Sequence, residues 1–224
     1  MTLPILRTTD GTTVTATSEQ LAQFRAWLAV ESGLDSRISK LFWLDMYLGY
    51  TVQNLNCVAV MRAIRDLEAD EPHSGVKAAT QFKHPPLKGL WHKHHYSAQW
   101  LIPNVIQGFG KNGLEKLANE IMDPAVHTVV TEQMCNELAC RAIFEPLANR
   151  SSDGKLTGEW LIFAKSEGVN RYLSLGYHPT DDHASYDQVL YDRIMKHCVD
   201  DFPDLHKWII SMGVSLPPLG DPSV

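Results

Sequence analysis

Residues 156–178 read LTGEWLIFAKSEGVNRYLSLGYH. Two short apolar and aromatic runs, LTGEWLIFA and NRYLSLGYH, flank the polar KSEG. Strands favour such residues, and a short polar connection containing Gly lets two of them fold back as a hairpin. This one stretch constrains the chain most, because nearly everything else repeats at helical spacing. A late antiparallel pair in a helical chain excludes alternating β-α-β units. The expected fold is therefore α+β and mostly helical, with a small antiparallel sheet in its C-terminal part.

The helical part has its own punctuation. Thr17 and Gln20 stand at capping-box spacing before Leu21, Phe24 and Leu28. From Asp35 to about Ala69 apolar residues recur every three or four positions, with a break expected at Gly49. Together these predict an N-terminal helical layer over about residues 14–70. Pro86 suits a helix first turn and predicts a helix over 86–100. Further helices are expected over 112–122 and from Thr131 to about Asn149, with Pro146 as a bend. Gly108 to Gly113, GFGKNG, reads as the turn before them. Ser185 and Gln188 have capping spacing for a last helix. A short hairpin is expected around Asp10-Gly11. The boundary suggested is 1–75 for the N-terminal helical region and 76–224 for the rest, with one continuous domain as the alternative.

Charge and cysteine usage narrow the functional classes. The 224 residues carry a net charge of −6, which argues against a general nucleic-acid binder. Lysines are nonetheless concentrated between Val76 and Lys116. No apolar run approaches the roughly 20 residues needed to span a bilayer, so no membrane partner is expected. The start, MTLPILRTTDG, lacks the pattern of a secretion signal, and a cytoplasmic location is expected. Cys57, Cys135, Cys140 and Cys198 have no redox or zinc spacing and are expected as buried free thiols.

The chemistry-bearing stretch is LKGLWHKHHYSAQW, residues 87–100. On a helix, Lys88, His92, His95 and Gln99 would form one stripe. Two imidazoles beside a cation suit phosphodiester cleavage. One takes the proton of a ribose 2′-hydroxyl, one protonates the leaving oxygen, and Lys88 or Lys93 stabilises the charge between them. His94 would face the core. A second cluster, Glu159, Lys165, Arg171, Ser174, Tyr177 and His178, lies on the hairpin. Tyr177 and His178 at its end are the candidate sheet-side partners, whereas Lys165 and Arg171 read as charges that protect a sheet edge. A zinc site built on His92 and His95 is a further alternative, but no third ligand follows from the spacing. No cofactor and no metal is expected.

The stretches FKHPPLKGLWHKHH and LTGEWLIFAKSEGVNRYLSLGYH resemble uncharacterised bacterial proteins of mobile-element type, over about residues 82–205. Leu87, Leu90, His92 and His95, with Tyr172, Ser174, Tyr177 and His178, also resemble the barnase–EndoU–colicin–RelE superfamily of phage and toxin nucleases. That resemblance implies a sheet of about four strands, of which two are legible here, and metal-independent cleavage of RNA. The expected function is a ribonuclease of toxin or phage-defence type. The alternatives are a non-catalytic immunity or regulatory protein and a zinc-binding hydrolase. Candidate partners are RNA and an antitoxin- or immunity-type protein.

Overall fold

The computed structural model describes residues 6–7, 13–30, 32–69, 75–177 and 183–211. Strands β1 (Leu6–Arg7) and β2 (Thr13–Val14) pair antiparallel, and the Asp10-Gly11 turn expected between them lies outside the described residues. Helix α1 (Ser18–Leu28) starts at the expected capping box: Thr17 and Gln20 satisfy each other's backbone amides. After α2 (Ser32–Asp35) come α3 (Lys40–Gln53) and α4 (Cys57–Glu68). The break between these two falls after Gln53 rather than at Gly49. Asn54 takes a left-handed conformation and ends α3, and the Asn56 side chain caps α4 through the Ala59 amide.

Then follow β3 (Thr80–Gln81), β4 (Trp91–His95), a 3₁₀ turn (Ala98–Trp100), α5 (Leu101–Phe109), α6 (Gly113–Ile121) and α7 (Glu132–Ser152). Next are β5 (Glu159–Ser166), β6 (Val169–Gly176), α8 (His183–Cys198) and α9 (Leu205–Ser211). The expected hairpin is β5–β6, turned through Glu167 and Gly168, both at positive φ. Helix α8 begins at His183, so Ser185 and Gln188 lie inside it rather than at its cap.

The helix expected over 86–100 is absent. Residues 85–89 form a turn and Trp91–His95 form a strand, with helical structure resuming only at Ala98. The reason is tertiary. β4 lies between β3 and β5 in a four-stranded antiparallel sheet of order β3-β4-β5-β6, so its backbone groups are shared with strands on both sides. A strand's side chains alternate between faces, and both faces here are covered.

One face carries Trp91, Phe163, Leu161, Tyr172 and Leu175, packed against Phe42, Met46, Val60 and Ile64 of α3 and α4. The other carries Trp160, Ile162 and Ala164, packed against Leu190, Ile194 and Cys198 of α8 and Leu205 and Ile209 of α9. The N-terminal helices thus share a core with the sheet, giving helix, sheet and helix layers. The fold is α+β and mostly helical, as expected.

The chain between β4 and β5 is unusual. These strands are direct antiparallel neighbours, His95 opposite Glu159, and a tight turn could join them. Instead residues 96–158 leave the sheet as an arm of α5, α6 and α7. Its base is clamped by buried Asn104, which accepts from the Thr157 amide at 2.9 Å and donates to the Thr157 carbonyl at 2.8 Å. Gly158 is required at the exit: a Cβ there would sit 1.8 Å from the His95 carbonyl oxygen. Within the arm, α5 crosses α7 at Gly108, where a Cβ would lie 2.5 Å from that of Pro146.

Candidate functional site

Strand alternation separates the two histidines expected to work together. His92 lies opposite Ile162 and faces the α8–α9 side. Its ring stacks on Phe82 (centroids 4.5 Å apart), lies 5.3 Å from Trp160, and Nε2 is 3.2 Å from Thr80 Oγ1. Lys93 and His95 lie opposite Leu161 and Glu159 and face α4. The stripe Lys88–His92–His95–Gln99 therefore does not form. Lys88 is exposed in the turn before β4, beside a recess of about 570 Å³ along β3. His94 is buried and bonded through Nδ1 to the Gly158 backbone carbonyl at 2.7 Å, the core histidine expected.

On the α4 side, His95 forms the floor of a groove of about 320 Å³ between α4 and the bridge that pairs Val76 with Leu156. Its walls are Ala59, Ala63, Val76 and Leu156, and Asn56, Arg62, Asp66 and Tyr96 supply polar groups. His95 is only 1% exposed, and neither ring nitrogen has a hydrogen-bond partner of good geometry among the described residues. Burial pushes its imidazole down to about 4, weakly opposed by the Tyr96 backbone, so the ring is neutral at pH 7. Asp66 Oδ2 is likewise buried without a hydrogen-bond partner. Lys93, 4% exposed, has its pKa lowered by desolvation, and the nearby Asp66 carboxylate pulls the other way.

A second polar cluster lies at the same end of the sheet. Glu159, beside His95 in register, is buried and accepts from Trp100 Nε1 at 2.8 Å and from Gln99. With Tyr177 it lines a shallow recess of about 340 Å³. The Tyr177 hydroxyl donates to Gln53 at 3.0 Å, and its amide donates to the Tyr186 hydroxyl at 2.6 Å. Burial first, then Asp45 and Glu159, raise the Tyr177 phenol; the Tyr186 phenol is pushed up to about 12. Neither ionises near neutrality. His178 lies outside the described residues.

Behind this cluster Asp45 of α3 is buried and accepts from Ser174 Oγ at 2.7 Å, from the Leu175 amide at 3.0 Å and from Arg193. Burial raises its pKa against the pull of those donors. This network pins α3 to β6 and α8, so its first role is architectural. Sequence reasoning missed Asp45, Asp66 and Arg193. The available signal was an acidic residue inside the apolar run KLFWLDMYLGY, where a charge needs a buried partner.

Lys165 and Arg171, read as edge charges, both cover aromatic rings; Arg171 does lie on the edge strand β6, whereas Lys165 lies on the inner strand β5. Lys165 Nζ sits 4.2 Å from the Trp91 ring centre, and Arg171 lies near Phe202 and Trp208. The cysteines also divide. Cys57 and Cys198 are buried as expected, with thiols raised to about 11 and about 12 by desolvation. Cys135 and Cys140 are exposed on α7, contrary to expectation, because the arm leaves most of that helix uncovered. Among the described residues no cluster of His, Cys, Asp and Glu could hold a metal ion, and no helix is long and apolar enough to cross a membrane. Comparison with protein-family models, with curated proteins and with solved structures finds no match.

Proposed function

We propose that this protein is a non-catalytic interaction component whose helical arm pairs with a second copy of the chain. The carrying observation is the uncovered surface of α7. In its 21 residues only Pro146 is buried. The side away from α5 and α6 presents Asn136, Ala139, Cys140 and Ile143 at three- and four-residue steps. Phe144 beside them is 67% exposed, as is Ile102 on α5. Apolar residues grouped in this way mark an interaction surface.

The charge pattern favours self-association. Positions 135, 136, 139, 140, 143, 144 and 147 carry no charge, in a chain of net charge −6. Arg141 points to the inner side, tied to Glu120 at 2.8 Å and Glu145 at 2.5 Å. A two-fold interface sets a surface against itself, so like charges would oppose it and a charge-free stripe does not. Small residues at 139 and 140 let a second helix approach closely.

Sedimentation equilibrium across a concentration range tests this reading. The expected result is a reversible dimer that Ile143→Asp converts to monomer without unfolding. A protein that stays monomeric at ~100 µM, above the Kd of a useful weak dimer, overturns it.

A second reading, the metal-independent ribonuclease, is favoured by a different observation. A sheet of about four strands is what the nuclease resemblance implies, and His95, Glu159 and Tyr177 lie at one end of the four-stranded sheet here. His92 no longer belongs in the scheme. His95 and Tyr177 would be the proton-transfer groups and Lys93 the cation. The burial of His95 and Lys93 weighs against this reading, because a phosphodiester must reach both. Incubation of folded protein with total RNA in chelator decides. Cleavage abolished by His95→Gln supports it, and absence of cleavage from pH 5 to 9 removes it.

A further inference from the structure

We infer that the groove between α4 and the Val76–Leu156 bridge is a binding site for a mononucleotide, with the base against His95 and Asp66 and the phosphate at Arg62. This goes beyond the interaction reading and does not depend on self-association through α7.

Two under-partnered polar groups line this groove: the buried His95 ring, whose one interaction is a weak one with the Tyr96 backbone, and Oδ2 of Asp66. Groups left in this way cost stability, and proteins retain them mainly where something else satisfies them. A neutral imidazole offers one N–H donor and one acceptor nitrogen, whereas a carboxylate only accepts. The complement is a molecule whose edge carries an N–H donor next to a ring or carbonyl acceptor. The side walls, Ala59 and Ala63 on α4 and Val76 and Leu156 opposite, have no polar side-chain atoms. A sugar would lay hydroxyls against them. A planar heterocycle lays its apolar faces there and turns its polar edge to the floor. The volume, about 320 Å³, is at the lower end of the range for small-molecule sites.

The charges at the site select the substituent. Asp66 is already countered by Lys93 on the sheet side. Arg62 is exposed at the rim, on the same helix as Asp66 and one turn before it. A phosphate on the ligand would meet Arg62 there, with Asp66 one turn further along the same helix face. Both ring nitrogens are closed to solvent, so ligand contact requires the His95 ring to shift, which changes its environment.

Isothermal titration with AMP, GMP, CMP and UMP and with the four nucleosides tests the site, alongside the His95 imidazole signals by NMR. At least one mononucleotide is expected to bind with a Kd below ~1 mM, more weakly at high salt and more weakly as its nucleoside, and to shift the His95 signals. His95→Gln is expected to weaken binding about tenfold. Ala59→Leu fills the groove from a half-exposed position and keeps every polar group, so it decides the matter if His95→Gln does not fold. Ala59→Leu should abolish binding with an unchanged melting temperature. Absence of binding by all four mononucleotides at 5 mM (about five times the weakest expected Kd) overturns the proposal. Binding that is unchanged in folded Ala59→Leu overturns it equally.

Discussion

The three-layer body and the helical arm obey different rules. In the body a strand such as β5 is covered on both faces, and even a carboxylate, Asp45, is buried with several donors around it. In the arm a helix of 21 residues buries one side chain. The body is held by what it encloses. The arm is held by its base at Asn104, by one close crossing at Gly108, and by Leu117 and Ile121 of α6. The lesson is that high helical content says little about where stability resides. α3 and α7 are both helices, but only α3 is part of a core.

The largest effect should come from the body's ion pair. Arg193→Ala leaves Asp45 buried without its cation, and breaking such a pair costs about 3–5 kcal/mol. Urea unfolding is expected to show that loss. A loss under 1 kcal/mol would mean that the layer joining α3, β6 and α8 is not what sets the stability.

Next in size is a pH effect, also confined to the body. His95 holds its proton less tightly folded, at about 4, than unfolded, near 6.5. The native state therefore binds fewer protons over that window. The contribution is fully present above pH 6.5 and is lost as pH falls through 4, amounting to about 3 kcal/mol at most. His95→Gln should flatten this part of the stability profile, and equal slopes in both proteins would refute the buried neutral ring.

Smaller still is the effect of loosening the arm. Gly108→Ala drives a Cβ against Pro146 and is expected to cost about 1–3 kcal/mol. The comparison predicts where that loss appears: hydrogen exchange should accelerate across 101–152 and stay unchanged in β4, β5 and β6. Acceleration throughout the sheet would show arm and body to be one cooperative unit. Smallest of all, alkylation of the monomeric Ile143→Asp variant at neutral pH should modify Cys135 and Cys140 rapidly and leave Cys57 and Cys198 intact, with almost no change in stability. Two modified sites by mass spectrometry is the expected result in the folded variant.

Legibility in the sequence followed the same division. The capping box at Thr17, the β5–β6 hairpin and helices α6 and α7 of the arm were readable because local residues determine them, whereas α5 (Leu101–Phe109) was not expected. The strand WHKHH was not. Its residues 92 and 95, with 88 and 99 on either side of it, fall at helical spacing, and a strand buried on both sides shows no alternation of polar and apolar residues to contradict it. Its partners are distant in sequence: Asp66 near Lys93, Gly158 for His94, and Thr80 and Phe82 for His92. β3 has two residues and no pattern of its own. For the candidate site, His95 and Tyr177 were legible as residue types. The groove was not, because α4 and the Val76–Leu156 bridge meet only in the folded chain.

The position of the arm has a consequence for how the sheet assembles. β4 and β5 cannot pair until the ends of residues 96–158 meet. Compared with a four-residue hairpin loop, that closure is about four doublings longer and costs roughly 2.5 kcal/mol more chain entropy. The expense is modest because loop entropy grows only logarithmically. Both ends of the excursion emerge side by side at His95 and Gly158, and the Val76–Leu156 bridge ties it to the body a second time. A four-residue turn from His95 to Glu159 would return most of that entropy, at the loss of the Leu156 pairing with Val76.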